Sequence, residues 1–597
     1  MTSPLADNTK PIADENIWAA DGPFSEITLY RDWDYFAGQV ESLRMHLFEY
    51  QTIPQWNFFF CGGVPELANP QSWAFTPLSV IAYLLPGNWA IVAIWMLFSA
   101  LGAWAMKKLL GLFDVRGVAA WAGASVYVLS GYFAAHFNQG HVTFALMHLV
   151  PLMTYLWCNM LMGRDGGGTW RTGLALMLST WVFFTSALPH PLFFAYPAMI
   201  LVVIGVVSWR VVESKDWREQ LVTSGMFHAL GIALSLYKLI PMAFWQMRFP
   251  REGVAFESHG LLGLLEGLIS PHADYGDMSS GLDYLPTQHW SSWEHNNFVG
   301  LIPLLALVFV GAKLRYFKRL PRPMAVVAVM GAALVGIGFW LNLGNGNPFS
   351  PSYLFQYLPV LEGVRVFGRY FYLANFGLAI LTAVFVILVA EQAASRARTV
   401  VAVVIALTVV PLVFQWATLV HKIRGVPDAA LVNELRDAPD QRNLYLEPWA
   451  VHPKAGYSFH RATLAKGTAV LKCYEPLAVN RPVLTAWGHV PMLVPEAEVQ
   501  GFALQSAGIR FEGVGGDRYI WHGATPPDVS SNFTHEHDGK MLLFTRPAEV
   551  DDGYLELRVE FPERPWSLAG TFAAFAVAVW FTRRVAKREN SGLRQTD

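Results

Sequence analysis

The chain has 597 residues, of which 53% are hydrophobic and only 15% are charged, and its formal net charge is -2. Because soluble domains carry about a quarter charged residues, this composition excludes an ordinary soluble protein and favours one that crosses a membrane repeatedly. The near-neutral charge, with no basic face, argues against a nucleic-acid partner. Cys61, Cys158 and Cys473 are widely spaced, so neither a zinc site nor a disulfide framework is predicted.

Residues 1–88 precede the first apolar run, and within them residues 30–86 form the polar, aromatic segment around which we expect the chain to be organised. Asp32 and Asp34 open its most informative part, and a carboxylate held near a bilayer among aromatic residues can act as a general base. The two carboxylates would share a face in a strand but not in a helix. The alternative is that both are ordinary solvated loop residues, which is typical of an isolated Asp-x-Asp.

An amphipathic pattern at residues 39–50 predicts a helix lying in the membrane interface. A loop rich in proline and glycine follows, and its aromatic and amide groups suit a sugar ring, whose hydroxyls need amide partners. The candidate sugar-binding or acceptor-binding residues in this loop are Trp56, Asn57, Asn69 and Gln71. For Trp56, a place in an interfacial aromatic belt is an equal alternative.

Eleven apolar runs predict membrane-spanning helices, ten of them within residues 89–420. They lie at about 89–106, 117–135, 142–162, 172–188, 190–208, 220–240, 298–312, 324–342, 369–390, 399–420 and 566–582. The loops after alternate runs are basic, as is the tail within 566–597, and the positive-inside rule makes these segments cytoplasmic. The other loops, including 1–88 and 421–565, are then extracytoplasmic.

This topology places the N-terminus outside, although residues 1–29 show no signal-peptide pattern. We therefore expect that a first span is missing from this sequence; the alternative is an N-terminal segment lying against the membrane. Residues 421–565 alternate short β-like runs with Gly, Pro and Asp turns, which predicts a small, mostly β extracytoplasmic module.

Further polar residues cluster at the outer ends of the predicted spans. His136, Asn138, Gln139 and His141 lie between two spans, and His190 lies in an outer Leu-Pro-His-Pro turn. His272, Asp274 and Asp277 form the one conceivable metal site, but their spacing matches no established ligand pattern, so no metal is predicted.

Arg365 and Arg369 are a stronger signal, because arginine at the end of an apolar span is costly unless it is paired. Four residues apart, they lie on one face if the helix begins by Arg365. Guanidinium groups match phosphate oxyanions well. Interfacial snorkelling, or a salt bridge to Glu362, is the alternative.

Several of these residues occur in an ordered set of motifs that covers nearly the whole membrane region. The set comprises Asp32 or Asp34, Pro54-Gln55-Trp56-Asn57, Gly63-Val64-Pro65, Ala68-Asn69-Pro70-Gln71, Pro77, His190-Pro191, VGLIPLLAL at 299–307, LPVLEGVRVFGRYFYL at 358–373 and KCYEPLAVNRP at 472–482. In this order the motifs resemble the GT-C superfamily of membrane glycosyltransferases, and most closely its YfhO-like bacterial branch. The chain departs from that pattern in lacking a membrane helix before the acidic segment.

The resemblance implies an inverting transfer of a sugar from a polyprenyl-phosphate donor to a glycan, lipid or protein acceptor at the outer face of the cytoplasmic membrane. It assigns the role of general base to Asp32, with Asp34 as the competing choice, and donor-phosphate binding to Arg365 and Arg369. Sugar or acceptor binding falls to Trp56, Asn57, Asn69, Gln71, His141 and His190. No cofactor is implied firmly; a divalent metal is possible but unsupported.

Two other classes of function fit eleven spans. A transporter or lipid flippase should carry ionisable or broken-helix features at the membrane midplane, whereas here the polar residues collect at one face. A non-catalytic polysaccharide assembly or export component would use residues 421–565 to bind a partner, and its function would not require Asp32 or Asp34.

Overall fold

The computed structural model of the chain describes 21 segments, which contain most of the apolar sequence. They are residues 32–48, 56–57, 64–163, 169–186, 188–213, 217–248, 261–270, 294, 296–312, 320–358, 361, 364, 366–393, 396–422, 445–447, 468–470, 492–495, 510–512, 518–522, 558–560 and 564–593. Arg365, Glu362, the candidate metal residues at 272–277, and Cys61 and Cys473 lie outside them.

Helices make up most of these residues. In chain order they are α1 Asp32–Phe48, α2 Ser79–Leu84, α3 Gly87–Leu112, α4 Gly117–Leu129, α5 Gly131–Gln139, α6 Val142–Ala145, α7 Leu149–Leu161, α8 Thr169–Ser186, α9 His190–Phe194, α10 Tyr196–Glu213, α11 Trp217–Leu234, α12 Leu236–Arg248, α13 Leu261–Ile269, α14 Leu301–Ala312, α15 Arg322–Asn342, α16 Phe371–Ala393, α17 Ala397–Lys422 and α18 Arg564–Leu593. Short 3-10 turns occupy Leu146–His148, Pro351–Tyr357 and Phe367–Tyr370.

Eight of the described helical stretches are long and apolar enough to cross a membrane. They are Trp89–Leu112, Gly117–Gln139, Val142–Leu161, His190–Glu213, Arg322–Asn342, Phe367–Ala393, Ala397–Thr418 and Trp566–Lys587. The bent pair formed by α11 and the first part of α12 makes a ninth if it counts as one span. The protein is therefore a helical, multi-pass membrane protein.

The eight spans coincide with eight of the eleven predicted runs, and the bent pair coincides with a further one. The remaining two predicted runs correspond to α8 and α14, which do not meet the requirements for a span among the described residues. The count of eleven crossings stays a prediction.

The chain divides into two compact units. One comprises residues 1–93, 236–252 and 422–569, and the other comprises residues 94–235, 253–421 and 570–597.

The second unit is built around the α16 helix, whose span is mostly buried among its neighbours. Glycines let the backbones come close: a Cβ on Gly123 would lie 2.6 Å from the Ala379 carbonyl oxygen, and one on Gly338 would lie 2.7 Å from the Ala374 nitrogen. Small residues drive helix association in membranes because lipid removes the hydrophobic driving force. Glycine packing thus fixes α4 and α15 against α16.

Polar groups inside this helix cluster bond to one another. The Tyr127 and Tyr372 hydroxyls lie 2.8 Å apart, and the Asn375 side-chain amide donates to the Tyr127 carbonyl oxygen at 3.1 Å. Because unpaired polar atoms are costly in a bilayer, these bonds fix how α4 and α16 lie against each other.

In the first unit, the α1 helix is held beside the start of α3. The Glu41 carboxylate accepts a hydrogen bond from the Gly87 amide at 2.6 Å, and the Arg44 guanidinium donates to the Tyr83 carbonyl oxygen at 2.7 Å. A Cβ on Gly87 would approach the Ala37 carbonyl oxygen to 2.8 Å, so the helix requires glycine there.

The same unit contains short strands. They are β1 Trp56–Asn57, β2 Val64–Pro65, β3 Tyr445–Glu447, β4 Thr468–Val470, β5 Met492–Pro495, β6 Arg510–Glu512, β7 Arg518–His522 and β8 Arg558–Glu560. β1 pairs antiparallel with β2, β3 pairs parallel with β4, and an antiparallel sheet has the order β5-β7-β6-β8. A separate, mostly β extracytoplasmic domain at 421–565 stays a prediction.

Candidate functional site

The α5 helix ends in a glycine turn that brings two histidines together. Gly140 has a φ of 83°, a left-handed conformation that glycine adopts without steric cost. Its amide donates to the Phe137 carbonyl oxygen at 3.0 Å, and the His141 amide donates to the His136 carbonyl oxygen, also at 3.0 Å. This is the Schellman pattern, which pairs the residues at the positions of His136 and His141 and usually places a hydrophobic contact between them.

Two imidazoles occupy the place of that contact. The Nδ1 atoms of His136 and His141 lie 2.7 Å apart, which is hydrogen-bond distance and requires one shared proton. His136 is buried, whereas His141 keeps partial exposure. The His136 ring also stacks on Phe144, with ring centroids 3.7 Å apart. This single helix-ending turn therefore brings one ring nitrogen from each histidine within hydrogen-bond distance of the other.

The buried Glu294 carboxylate lies beside this pair. Its Oε2 atom is 3.8 Å from His136 Nε2, a buried nitrogen that has no hydrogen-bond partner among the described residues. Glu294 is also the partner of Arg369: the guanidinium Nε donates to Oε2 at 2.9 Å, and Nη2 donates to Oε1. The two side chains are only 5% and 12% exposed, so this is a buried, two-pronged ion pair.

The charge of Arg369 keeps Glu294 ionised. Burial alone would raise the pKa of the Glu294 carboxyl group, but the charge and hydrogen bonds of Arg369 outweigh it and hold that pKa well below its usual range. The site thus contains a buried carboxylate anion beside two imidazole rings.

Arg369 itself is fixed by backbone and ring contacts. It lies in the 3-10 turn Phe367–Tyr370, which follows Val366 at the unusual φ of 62°. Its guanidinium carbon lies 5.3 Å from the Phe144 ring centroid and 5.9 Å from that of Phe194, within the range of cation–π attraction. Phe144 therefore contacts both the histidine pair and the ion pair.

The structure brings together three of the predicted site residues, His141, His190 and Arg369. His190 begins α9, and its ring lies 5.7 Å from that of Phe144. Arg369 pairs with Glu294, whereas the sequence suggested Glu362 as its alternative partner. Glu294 went unrecognised because it lies far along the chain in a polar stretch with no local motif.

The other predicted residues belong to the first unit or lie outside the described residues. Asp32 and Asp34 begin the α1 helix, where positions two apart do not share a face, but their side chains lie outside the described part. The same holds for the side chains of Trp56 and Asn57 in β1. Asn69 is buried and accepts a hydrogen bond from the Gln71 amide at 2.9 Å, an Asx turn that shapes the loop.

The α12 helix of the first unit carries a buried lysine that contacts the loop and that the sequence did not reveal. Lys238 is 1% exposed and donates from Nζ to the Ser72 carbonyl oxygen at 2.6 Å. The hydroxyl of Ser72 in turn donates to the buried Glu66 carboxylate. These contacts tie the loop to α12.

No known family model matches the chain, and no curated protein matches it. The resemblance to GT-C enzymes stays a prediction from the sequence motifs.

Among the described residues, His136, His141 and Glu294 form the one group that could hold a metal ion. One ligand atom from each lies within 4.8 Å of the other two. The donors are two imidazole nitrogens and one carboxylate oxygen, a set that suits zinc and related transition metals.

Proposed function

We propose that the protein is an inverting glycosyltransferase that moves a sugar from a polyprenyl-phosphate donor to an acceptor at the extracytoplasmic face of the cytoplasmic membrane. The observation that carries the proposal is the placement of the ionisable side chains of the second unit. Arg369, Glu294, His136, His141 and His190 are grouped around Phe144 at the ends of four spans.

The distribution of charge along the spans favours surface chemistry over transport. Every Asp, Glu, Lys and Arg in the eight spans lies in the first or last two turns of its span. A transporter needs ionisable groups near the midplane to bind its cargo. The end of the bundle, where lipid phosphate and water meet, is the place for a reaction between a lipid-linked sugar and an acceptor.

In this proposal Asp32 takes the proton from the acceptor hydroxyl as its oxygen attacks the anomeric carbon, and Asp34 is the competing base. The sugar–phosphate bond breaks, and the lipid phosphate leaves with the bonding electrons. Arg365 and Arg369 stabilise the charge that develops on the phosphate. The proposal also includes eleven crossings, a mostly β module at 421–565, and Trp56, Asn57, Asn69, Gln71, His141 and His190 as sugar or acceptor ligands.

The Arg369–Glu294 pair distinguishes the roles that we propose for Arg365 and Arg369 in donor-phosphate binding. Because Glu294 already engages the Arg369 guanidinium at two nitrogens and compensates its charge, we expect Arg369 to contribute less to donor-phosphate binding than Arg365. Replacing Arg365 with glutamine should raise the donor KM more than tenfold, because a neutral amide cannot pair with the phosphate charge.

The decisive test is complementation of a deletion strain, with surface glycans read by mass spectrometry. Wild type, Asp32→Asn and Asp34→Asn are compared at equal membrane expression. Asp114→Asn is the matched control, because it makes the same change at a carboxylate outside this segment that pairs with the exposed Arg116. Loss of the sugar mass in one variant identifies the base.

Full restoration by both variants would refute the proposal. The non-catalytic assembly or export component would then become the leading explanation, because it requires neither carboxylate. Restoration by wild type and Asp114→Asn only, with both other variants inactive, would indicate that the two carboxylates act together.

A further inference from the structure

We propose that His136, His141 and Glu294 form a binding site for one divalent transition-metal ion, with zinc as the best match. The proposal goes beyond sugar transfer and does not depend on it. It rests on three ligand-bearing side chains, two from one helix turn and the third from a segment distant in the chain, whose ligand atoms lie within 4.8 Å of one another.

The first argument is the unsatisfied hydrogen-bonding capacity of the His136 ring. Its Nε2 atom is buried, has no hydrogen-bond partner among the described residues, and lies 3.8 Å from Glu294 Oε2. A buried ring nitrogen without a partner is costly. A tetrahedral zinc ion separates its nitrogen and oxygen ligands by about 3.4 Å, so a small contraction of this gap accommodates the ion.

The backbone around the histidines is the second argument. The Schellman turn at Gly140 holds the backbone of His141 next to that of His136 before any ion binds. Since Nδ1 of His136 faces His141 and Nε2 faces Glu294, an ion bound by all three residues must draw the ligand atoms together. His141 is the partly exposed member of the group and can supply most of that movement by turning its ring.

Arg369 orients the Glu294 carboxylate by hydrogen bonds from outside the proposed metal site. A carboxylate offers about four acceptor positions, and Arg369 uses one on each oxygen of Glu294. Carboxylates that bind metals are commonly held by such outer hydrogen bonds. The arginine charge lowers the attraction for a cation, so the two imidazole nitrogens carry much of the binding.

The donor set selects the class of metal. Two imidazole nitrogens with one carboxylate oxygen suit zinc, iron, nickel or copper, whereas magnesium and calcium prefer oxygen ligands alone. Three protein ligands also leave one position of a tetrahedral ion open, which is the arrangement of zinc sites that bind a water molecule or a substrate oxygen.

The test uses the full chain purified in detergent, stripped with a chelator, and titrated with zinc alone or cobalt alone. We expect one equivalent of zinc per chain by elemental analysis, and visible d–d absorption of the cobalt form typical of a tetrahedral site. His141→Ala should weaken zinc binding at least about 100-fold, more than the loss of an outer group usually does. Glu294→Gln should do the same.

His190→Ala is the matched control, because its ring contacts Phe144 but it is outside the three-residue group. It should bind zinc as wild type does. His141→Ala removes a partly exposed ring and leaves no buried charge, so it keeps the test valid if Glu294→Gln fails to fold. The proposal is overturned if the wild type shows no saturable zinc site, or if both ligand variants bind zinc as tightly as the wild type; the group is then a hydrogen-bond network.

Discussion

The buried Arg369–Glu294 pair makes the sharpest stability prediction. Replacing Glu294 with glutamine removes the carboxylate charge and one of the two hydrogen-bond acceptors of the guanidinium, and leaves Arg369 charged at 12% exposure. Each hydrogen bond to a charged group contributes about 1.5–3 kcal/mol. Breaking a buried pair from one side costs about 3–5 kcal/mol, because the remaining charge has no compensation. We therefore expect Glu294→Gln to lower the free energy of unfolding by about 3 kcal/mol.

A double-mutant cycle separates this pair from general damage to the fold. The free energy of unfolding is measured by denaturation in mixed micelles, on chelator-treated protein so that bound metal cannot contribute. The double variant Glu294→Gln, Arg369→Gln should cost at least about 2 kcal/mol less than the sum of the single variants.

The exposed pair between Asp114 and Arg116 is the control for the cycle. Its side chains are 39% and 72% exposed, so Asp114→Asn should change stability by no more than about 0.5 kcal/mol. The assignment of a buried, coupled pair would be refuted if the stability losses of the single variants at Glu294 and Arg369 were additive. It would also be refuted if Glu294→Gln were as stable as the control variant.

Three further changes test other parts of the structure. Gly140→Ala should lower the free energy of unfolding by about 1–2 kcal/mol in thermal unfolding, because alanine disfavours the left-handed conformation. Gly111→Ala is the control and should not destabilise, because a Cβ there meets no other atom within 4 Å. Equal effects of the two variants would contradict a left-handed turn at Gly140. Lys238→Met should cost about 2 kcal/mol through loss of the charged hydrogen bond to Ser72, and a cost below about 0.5 kcal/mol would show that this bond contributes little. Burial lowers the pKa of His46 from 6.5 to about 3. As the pH falls below 6.5, the His46 imidazole is therefore protonated in the unfolded chain but not in the folded one, which favours unfolding. Wild type should therefore lose about 2 kcal/mol more than His46→Gln between pH 7 and pH 5, and parallel stability curves would refute this.

The membrane region could be predicted largely from the sequence, because hydropathy is summed over some twenty residues and tolerates local error. Eight of the predicted runs coincide with spans of the structure. The predicted run at 220–240 concealed a break at Ser235, where α11 ends and α12 begins. A hydropathy window averages over such a break, so only the backbone reveals it.

The site shows where sequence reasoning stops. His136 and His141 were expected in a loop between spans, but the helix continues to Gln139 and the glycine turn folds His141 back. The Gly140 in that sequence was the available signal for this turn. No comparable signal existed for Glu294 or Lys238, because each pairs with a residue distant in the chain, and spacing rules describe only neighbours within an element.

The order in which the chain is synthesised gives the glycine turn a further consequence. His136 and His141 enter the membrane while Glu294 and Arg369 have yet to be translated. Their hydrogen bond needs only one proton between two rings, so neither ring has to carry a charge during that interval. The charged residues follow later and enclose each other as a neutral pair. The histidine pair thus adds no isolated charge to the helix bundle before the ion pair is translated.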